Sequence, residues 1–447
     1  MKKYLSCIIL ILFLFTACGE TEPFGSSTEA VTATNSYIFD QTTTNAYGLL
    51  SCDNNSVTEN TVAASPTVAY GTTAYNSADV HQTVSPVQGE IRGVWLSYYE
   101  IDVTNETATA EKYRAYLQEL CADFARYGIT DVFAHVRAYA DAIYKSSVYP
   151  VSAYAAGVQG GELPFDCLEI ICQVMSEHNI RVHAWVNPYR VHNGTDINDL
   201  SADNKARQWY NPSSNEDVAI VGDKIYFNPS SEKAQQLVIQ GAAEILQNYP
   251  VAGIHIDDYF YPLECGNFDS VQYNSYLSSG GTMSLDDWRR DNVNKLVSAL
   301  YRTVKGYGSD KIFSISPAGN IDNNYQSLYA DVELWSRGGY ADMIIPQIYF
   351  GFEHSSRPFD RCTDDWLNLK GQGVLMPVGL ALYKSGTEDS YAGEGASEWT
   401  ENTNILARQV QYLRSKGCDG FVIFSVEYFD DEGNYPATEL ANLRQIL

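Results

Sequence analysis

The run GIHIDDYFYP, Gly253 to Pro262, reads as a buried β-strand that ends in two adjacent carboxylates. Side chains alternate between the faces of a strand, so Ile254 and Ile256 share one face while His255 and Asp257 share the other. An apolar face turned to covering helices and a polar stripe turned inward are the marks of a parallel barrel strand. In such barrels the chemistry gathers where strands end and loops begin.

Working outward from this run, seven more short apolar segments alternate with helical patterns. The eight strand candidates are Ile91 to Ser97, Asp131 to Arg137, Arg181 to Asn187, Gly253 to Tyr259, Ile312 to Asn320, Met343 to Phe350, Val374 to Leu382 and Gly420 to Tyr428. Helical periodicity runs over Ala110 to Arg126, Phe165 to His178, Glu232 to Asn248, Leu285 to Gly306, Asn402 to Lys416 and Ala437 to Leu447. The expected fold is α/β, a single (β/α)8 TIM-type barrel over residues 90–447. An open doubly wound sheet is the rival, but no glycine-rich dinucleotide turn follows the first strand.

Ahead of the barrel, Lys2 and Lys3 precede an apolar run from Cys7 to Phe15, and the small residues Thr16 and Ala17 lead into Cys18. Residues 1–18 therefore read as a signal peptide of lipoprotein type, with Cys18 as the lipidated N-terminus of the mature chain. Residues 19–89 are rich in Thr, Ser and Asn and read as a flexible linker. Together they imply an extracytoplasmic protein whose membrane partner is lipid, held through Cys18.

Of 29 basic residues, 27 remain once Lys2 and Lys3 are removed, against 55 acidic ones, a formal charge of −28. Such a surface has nothing to neutralise phosphates, which argues against a nucleic-acid partner. Cys18, Cys52, Cys121, Cys167, Cys172, Cys265, Cys362 and Cys418 form no CxxC pair, and the seven histidines form no HExxH motif. A disulfide scaffold and a zinc knuckle are disfavoured, and neither a metal nor a cofactor is expected.

Strand parity, extended around the barrel, turns a consistent set of side chains to one mouth. These are Trp95 and Ser97, His135 and Arg137, His183, Trp185 and Asn187, Ser314 and Ser316, Gln347 and Tyr349, and Ser425 and Glu427. With Tyr189, Arg190, Tyr259 and Tyr261 they make an aromatic and polar surface suited to sugars, whose C–H faces stack on rings while hydroxyls bind amides and charges. Trp95, Arg137, Trp185, Asn187, Tyr189, Arg190, His255, Tyr259, Gln347 and Tyr349 are the candidate substrate-binding residues.

Glycoside hydrolysis needs two carboxyl groups, one to protonate the leaving oxygen and one to attack or activate water. Asp257, with inward parity, is the first choice for the attacking or water-activating role. Asp258 should point the other way, bracing a loop or orienting Arg190. The proton donor stays open between Glu427, Asp141 and Glu264, each of which also reads as a surface or loop-bracing carboxylate. Arg137 and Arg190 suit a clamp on an acidic sugar or a charge that keeps Asp257 ionised, with pairing to Asp141 or Asp258 as the structural alternative.

RGVWLS, ADAIYKSSVYPVSAY, HAWVNPYRVH, YFNPSSEKA, GIHIDDYFYP, DWRRDNVNKLV, FSISPAGN and DMIIPQIYF, in this order from about Glu90 to Tyr428, resemble the glycosyl hydrolase-like 10 family, also called domain of unknown function 187. The resemblance implies a TIM-type barrel in a bacterial envelope protein and a glycosidase acting on peptidoglycan glycan strands freed of their stem peptides. The family's aspartate pair falls on Asp257 and Asp258, and its NPYR motif on Asn187, Pro188, Tyr189 and Arg190. Its DWRRxNVN helix places Arg289 and Arg290 as ties between helix and barrel. Where relatives often end the eighth strand in FSY, this chain has Phe424, Ser425, Val426 and Glu427, so no role for Glu427 carries over.

Two other classes stay in view. A barrel that binds carbohydrate without cleaving it would lack a second carboxylate near Asp257. A metal-dependent hydrolase would need His135, His183 and His255 to converge on an ion.

Overall fold

A computed structural model of the chain describes residues 89–447, apart from 102, 105–107 and 430–432. The expected signal peptide, Cys18 and nearly all of the linker lie outside the described residues.

All eight expected strands form; β2 has the expected bounds and the other seven are shorter than the apolar runs that announced them. They are β1 (Ile91–Leu96), β2 (Asp131–Arg137), β3 (Arg181–Val186), β4 (Gly253–Ile256), β5 (Ile312–Ile315), β6 (Met343–Ile344), β7 (Val378–Ala381) and β8 (Gly420–Phe424). They pair in parallel, β7 to β8, β8 to β1, and onward in chain order to β6. Parallel bridges Met343 to Leu375 and Gln347 to Gly379 join the β6 segment back to the β7 segment and close the ring. Helices fill the crossovers, among them Ala110–Tyr127, Cys167–Glu177, Glu232–Asn248, Leu285–Tyr307 and Ile405–Ser415.

Two glycines set close strand contacts. A Cβ at Gly253 would lie 1.7 Å from the Ile312 carbonyl oxygen, so only glycine lets β4 start beside β5. At Gly420, φ is +143° and a Cβ would lie 2.0 Å from Ile91 O, where β8 meets β1.

Helix caps and periodic apolar faces make the outer layer. In Glu232–Asn248, Ser231 accepts from Ala234 N, and Leu237, Val238, Ala242, Ile245 and Leu246 are buried. In Leu285–Tyr307 the buried Arg289 donates to Asp269 at 2.8 and 2.5 Å and to Tyr329 Oη at 2.8 Å, tying helix to barrel as expected. Arg290 binds Asp287 at 2.7 Å and the Tyr325 carbonyl at 3.1 Å.

Inside the ring, Ile91, Trp95, Phe133, Trp185, Ile312, Met343, Ile345 and Val422 form a core separate from the one under the helices. This confirms the inward parity on β1, β2, β3, β5 and β6, and corrects it on β8. There Val422 and Phe424 face inward while Phe421 and Ile423 pack against the helices. One insertion was not foreseen: antiparallel strands Arg190–His192, Val218–Val221 and Lys224–Phe227 form a small side sheet just past β3.

Candidate active site

β4 ends at Ile256, so neither aspartate of the pair belongs to the strand and alternation no longer governs them. Asp257 is buried, and four contacts from three backbone or side-chain N–H groups converge on its carboxylate. Trp185 Nε1 donates to Oδ2 at 2.8 Å, Asn187 Nδ2 reaches Oδ1 and Oδ2 at 3.2 and 3.1 Å, and Tyr259 N reaches Oδ1 at 3.4 Å. Asp258 is half-buried and does not turn away, contrary to the parity expectation. It accepts from Gln347 Nε2 at 3.1 Å, and the same amide donates to the Ser316 carbonyl at 2.8 Å.

Electrostatically the two carboxyls act on each other. Burial and the neighbouring Asp258 charge push Asp257 up to about 7, against the lowering effect of the Trp185 hydrogen bond and Arg190. Burial also raises Asp258, while Gln347 and Arg190 pull it down. Both carboxyls are thus held above their ordinary range by desolvation, and the charge on Asp258 opposes ionisation of Asp257.

Arg190 is the cation of the site. Its guanidinium lies 4.7 Å from the ring centres of both Tyr139 and Tyr259, and Nη2 donates to Tyr139 Oη at 2.9 Å. Asn187 fixes the turn that delivers it, because Oδ1 accepts from Tyr189 N at 3.2 Å and Arg190 N at 2.9 Å. Asn187 thereby orients the carboxylate on one side and the arginine on the other.

Asp258, Tyr259, Arg190, Gln347 and Tyr349 are the half-buried groups through which the site meets solvent. Behind them lie residues expected to touch substrate. Trp95, Arg137, Asn187, Tyr189 and His255 are 2% exposed or less, too deep for direct contact with a ligand in this conformation. Trp95 Nε1 faces His255 Nε2 at 3.3 Å, and His255 Nδ1 and Nε2 meet the Ser314 and Ser316 hydroxyls at 2.9 and 3.0 Å. Arg137 braces the NPYR turn by donating to the carbonyls of Asn187 and Pro188. Tyr261 is turned away, edge-on to Tyr329 at 5.0 Å. Trp185 is 8% exposed and stacks flat on His135, with ring centres 3.6 Å apart and planes 6° apart.

The other candidate carboxylates fall elsewhere. Asp141 is buried with Gln159 Nε2 at 2.7 Å and is raised by burial; its named partners, Gln159 and Ser152, are not those of Asp257. Glu427 is exposed on a single turn beyond β8, Val426–Tyr428, so the strand alternation that aimed it inward does not reach it. Glu264 is exposed in a left-handed turn residue, φ 55°. A carboxylate that parity reasoning missed, Glu100, accepts from Ser97 Oγ, from Ser425 Oγ at 2.9 Å and from Glu427 N at 3.0 Å, linking the ends of β1 and β8.

The three inward histidines do not converge. His183 binds Asp131 at 2.8 Å deep in the ring, His255 binds the two serines and His135 stacks on Trp185. Among the described residues no group of three or more His, Cys, Asp or Glu is placed to hold a metal ion.

Comparison with known proteins bears on this geometry. A family model described as glycosyl hydrolase-like 10 matches residues 90–392. Glycosyl hydrolase YngK of Bacillus subtilis is 34% identical over 321 residues, 66% of this chain and 61% of that protein. Glycosyl hydrolase DigH of Escherichia coli K12 is 27% identical over 392 residues, 78% of this chain and 85% of that protein. Among solved structures, the glycoside hydrolase domain of PgaB (BpsB) from Bordetella bronchiseptica superposes with a TM-score of 0.54 at 12% identity. It covers 79% of this chain and 98% of that one, a likeness of fold.

Proposed function

Because the chain belongs to the glycosyl hydrolase-like 10 family, we propose that it is a glycosidase of a bacterial envelope polysaccharide, with peptidoglycan glycan strands as the substrate. The observation that carries the catalytic part is the Asp257–Asp258 pair, which sits past β4 with Arg190 acting on both carboxyls and Gln347 Nε2 on Asp258, both carboxyls raised by burial. Such a pair supplies both states that glycoside hydrolysis requires, a carboxylic acid and a carboxylate, within one site.

In this reading the roles differ from those expected from parity. Asp258, the more open carboxyl, protonates the leaving oxygen. Asp257, whose oxygens are occupied by N–H donors from Trp185, Asn187 and Tyr259, stays oriented behind it and, in its ionised form, supplies negative charge as the anomeric carbon becomes cationic; water then adds to that carbon and gives its proton back to the Asp258 carboxylate. Arg190 limits how far both carboxyls rise, and Tyr259 and Tyr349 offer ring faces to the sugar.

The envelope substrate is supported by the lipoprotein-type leader ending at Cys18, by the family resemblance and by the aromatic and amide groups around the pair. The same reading anchors the protein outside the cytoplasm through Cys18, and membrane fractionation of a Cys18→Ser variant tests that anchor. The substrate test compares purified peptide-free glycan strands, intact peptidoglycan and an unrelated β-linked glucan, with products read by mass spectrometry. Cleavage of the peptide-free strands above the other two is expected; cleavage of the glucan alone would contradict the peptidoglycan assignment.

A further inference from the structure

Tyr98 and Tyr99, just past β1, were not among the residues singled out by strand parity, yet they begin a line of ring and guanidinium contacts that runs through Tyr139 and Arg190 to Tyr259, the residue after the aspartate pair. Tyr99 is 50% exposed. Its ring lies over that of Tyr98, with centres 4.1 Å apart and planes 34° apart. Tyr98 in turn meets Tyr154 at 4.8 Å and Tyr139 at 5.6 Å, both edge to face. Arg190 lies over Tyr139 at 4.7 Å and over Tyr259 at the same distance, and its charge acts on Asp257 and Asp258.

The line is rigid. Tyr98 Oη and Tyr139 Oη are 3.3 Å apart, Tyr139 Oη also accepts from Asn193 Nδ2 at 2.5 Å, and Tyr99 N donates to Ser97 Oγ at 3.3 Å. Tyr98, Ala138 and Tyr139, with Tyr154 against them, form an apolar cluster of their own, separate from both barrel cores. An isolated exposed tyrosine needs no explanation. An exposed ring backed by a second ring whose hydroxyl is tied down is different, because it offers a flat face that loses little freedom on binding.

We infer that Tyr99, backed by Tyr98 and flanked by Tyr154, is an outer sugar-stacking subsite, so that the site binds a glycan chain of several residues extending from Asp258 over the loops after β1 and β2. The ligand class is a polysaccharide presenting pyranose C–H faces, with the exposed Asn193 amide beside Tyr139 available to a hydroxyl. The inference rests on the glycosidase reading for its inner end, but it concerns binding and is tested separately.

The experiment uses the full chain as wild type, Tyr99→Ala and Tyr99→Phe, with purified peptide-free glycan strands sorted by length. Calorimetry measures binding to long strands and to disaccharide units, and release of reducing ends gives kcat/KM for each length. For Tyr99→Ala, affinity for long strands falls roughly three- to tenfold, and the long-to-short ratio of kcat/KM falls with it. Tyr99→Phe, which keeps the ring face, stays close to wild type. Unchanged strand affinity in Tyr99→Ala, or no strand binding by the wild type, would overturn the subsite. Weakened binding by Tyr99→Ala in a protein that cleaves no strand would uphold the subsite while removing the glycosidase reading.

Discussion

Trp185 Nε1 donates to Asp257 Oδ2 at 2.8 Å, so a side chain of β3 holds the carboxylate that follows β4. A face of the same indole is covered by His135 of β2, with ring centres 3.6 Å apart. Three adjacent strands thus fix one oxygen atom, which is how a barrel turns packing into positional accuracy.

Trp185→Phe keeps an aromatic ring beside His135 but removes the N–H together with one ring of the indole. The charged form of Asp257 then loses a stabilising donor and the pair titrates higher. The expected outcome is a fall in kcat of roughly 10- to 100-fold, in line with the loss of a positioned donor. The alkaline limb of the pH–rate profile moves upward while circular dichroism stays unchanged.

Arg190→Gln removes the cation that lowers both carboxyls. Both carboxyls then shift upward, because the positive charge that favoured their ionised forms is gone. In the kcat/KM profile both limbs move to higher pH. Limbs that stay in place would show that Arg190 does not act on the pair.

Asp257 also carries a stability signature. Its folded-state value, about 7, lies above its ordinary 3.8, so the folded protein holds a proton that the unfolded chain has released between these values. The contribution of this group is fully present below pH 4 and is lost as pH rises through about 7. Asp257→Asn has no charge to bury. Its thermal midpoint relative to wild type should rise between pH 4 and pH 8, by roughly 2–4 °C per kcal/mol recovered. Equal pH dependence in the two proteins would contradict the raised value.

Glu427→Gln should keep kcat/KM within about twofold of wild type, as expected for an exposed group outside the reacting constellation. A loss of roughly 100-fold, the size of a general-acid contribution, would return Glu427 to the site.

The barrel was legible because its eight strands are apolar runs bounded by turns. Inward alternation on β1 and β3 turns Trp95 and Trp185 into the ring. Parity failed where strands stop: β4 ends one residue before Asp257, so Asp258 is free to face Gln347. On β8 Phe421 and Val422 are both apolar, so the pattern held nothing to tell the inner face from the outer one. The side sheet was missed because its strands have three or four residues, too few for a period to show, although the Gly222-Asp223 pair between its last two strands is a hairpin-turn signal. Tyr98 and Tyr99 lie in a loop, where alternation says nothing about direction.

The most direct measurement compares wild type, Asp257→Asn and Asp258→Asn on purified peptide-free glycan strands, counting new reducing ends by mass spectrometry beside a check of folding by circular dichroism. Wild type should cleave the strands, and each folded variant should be slower by roughly 100-fold or more, with Asp258→Asn recovering part of its rate on an aryl glycoside whose leaving group needs no proton. Turnover near the wild-type rate by either variant would contradict the assignment of catalysis to this pair.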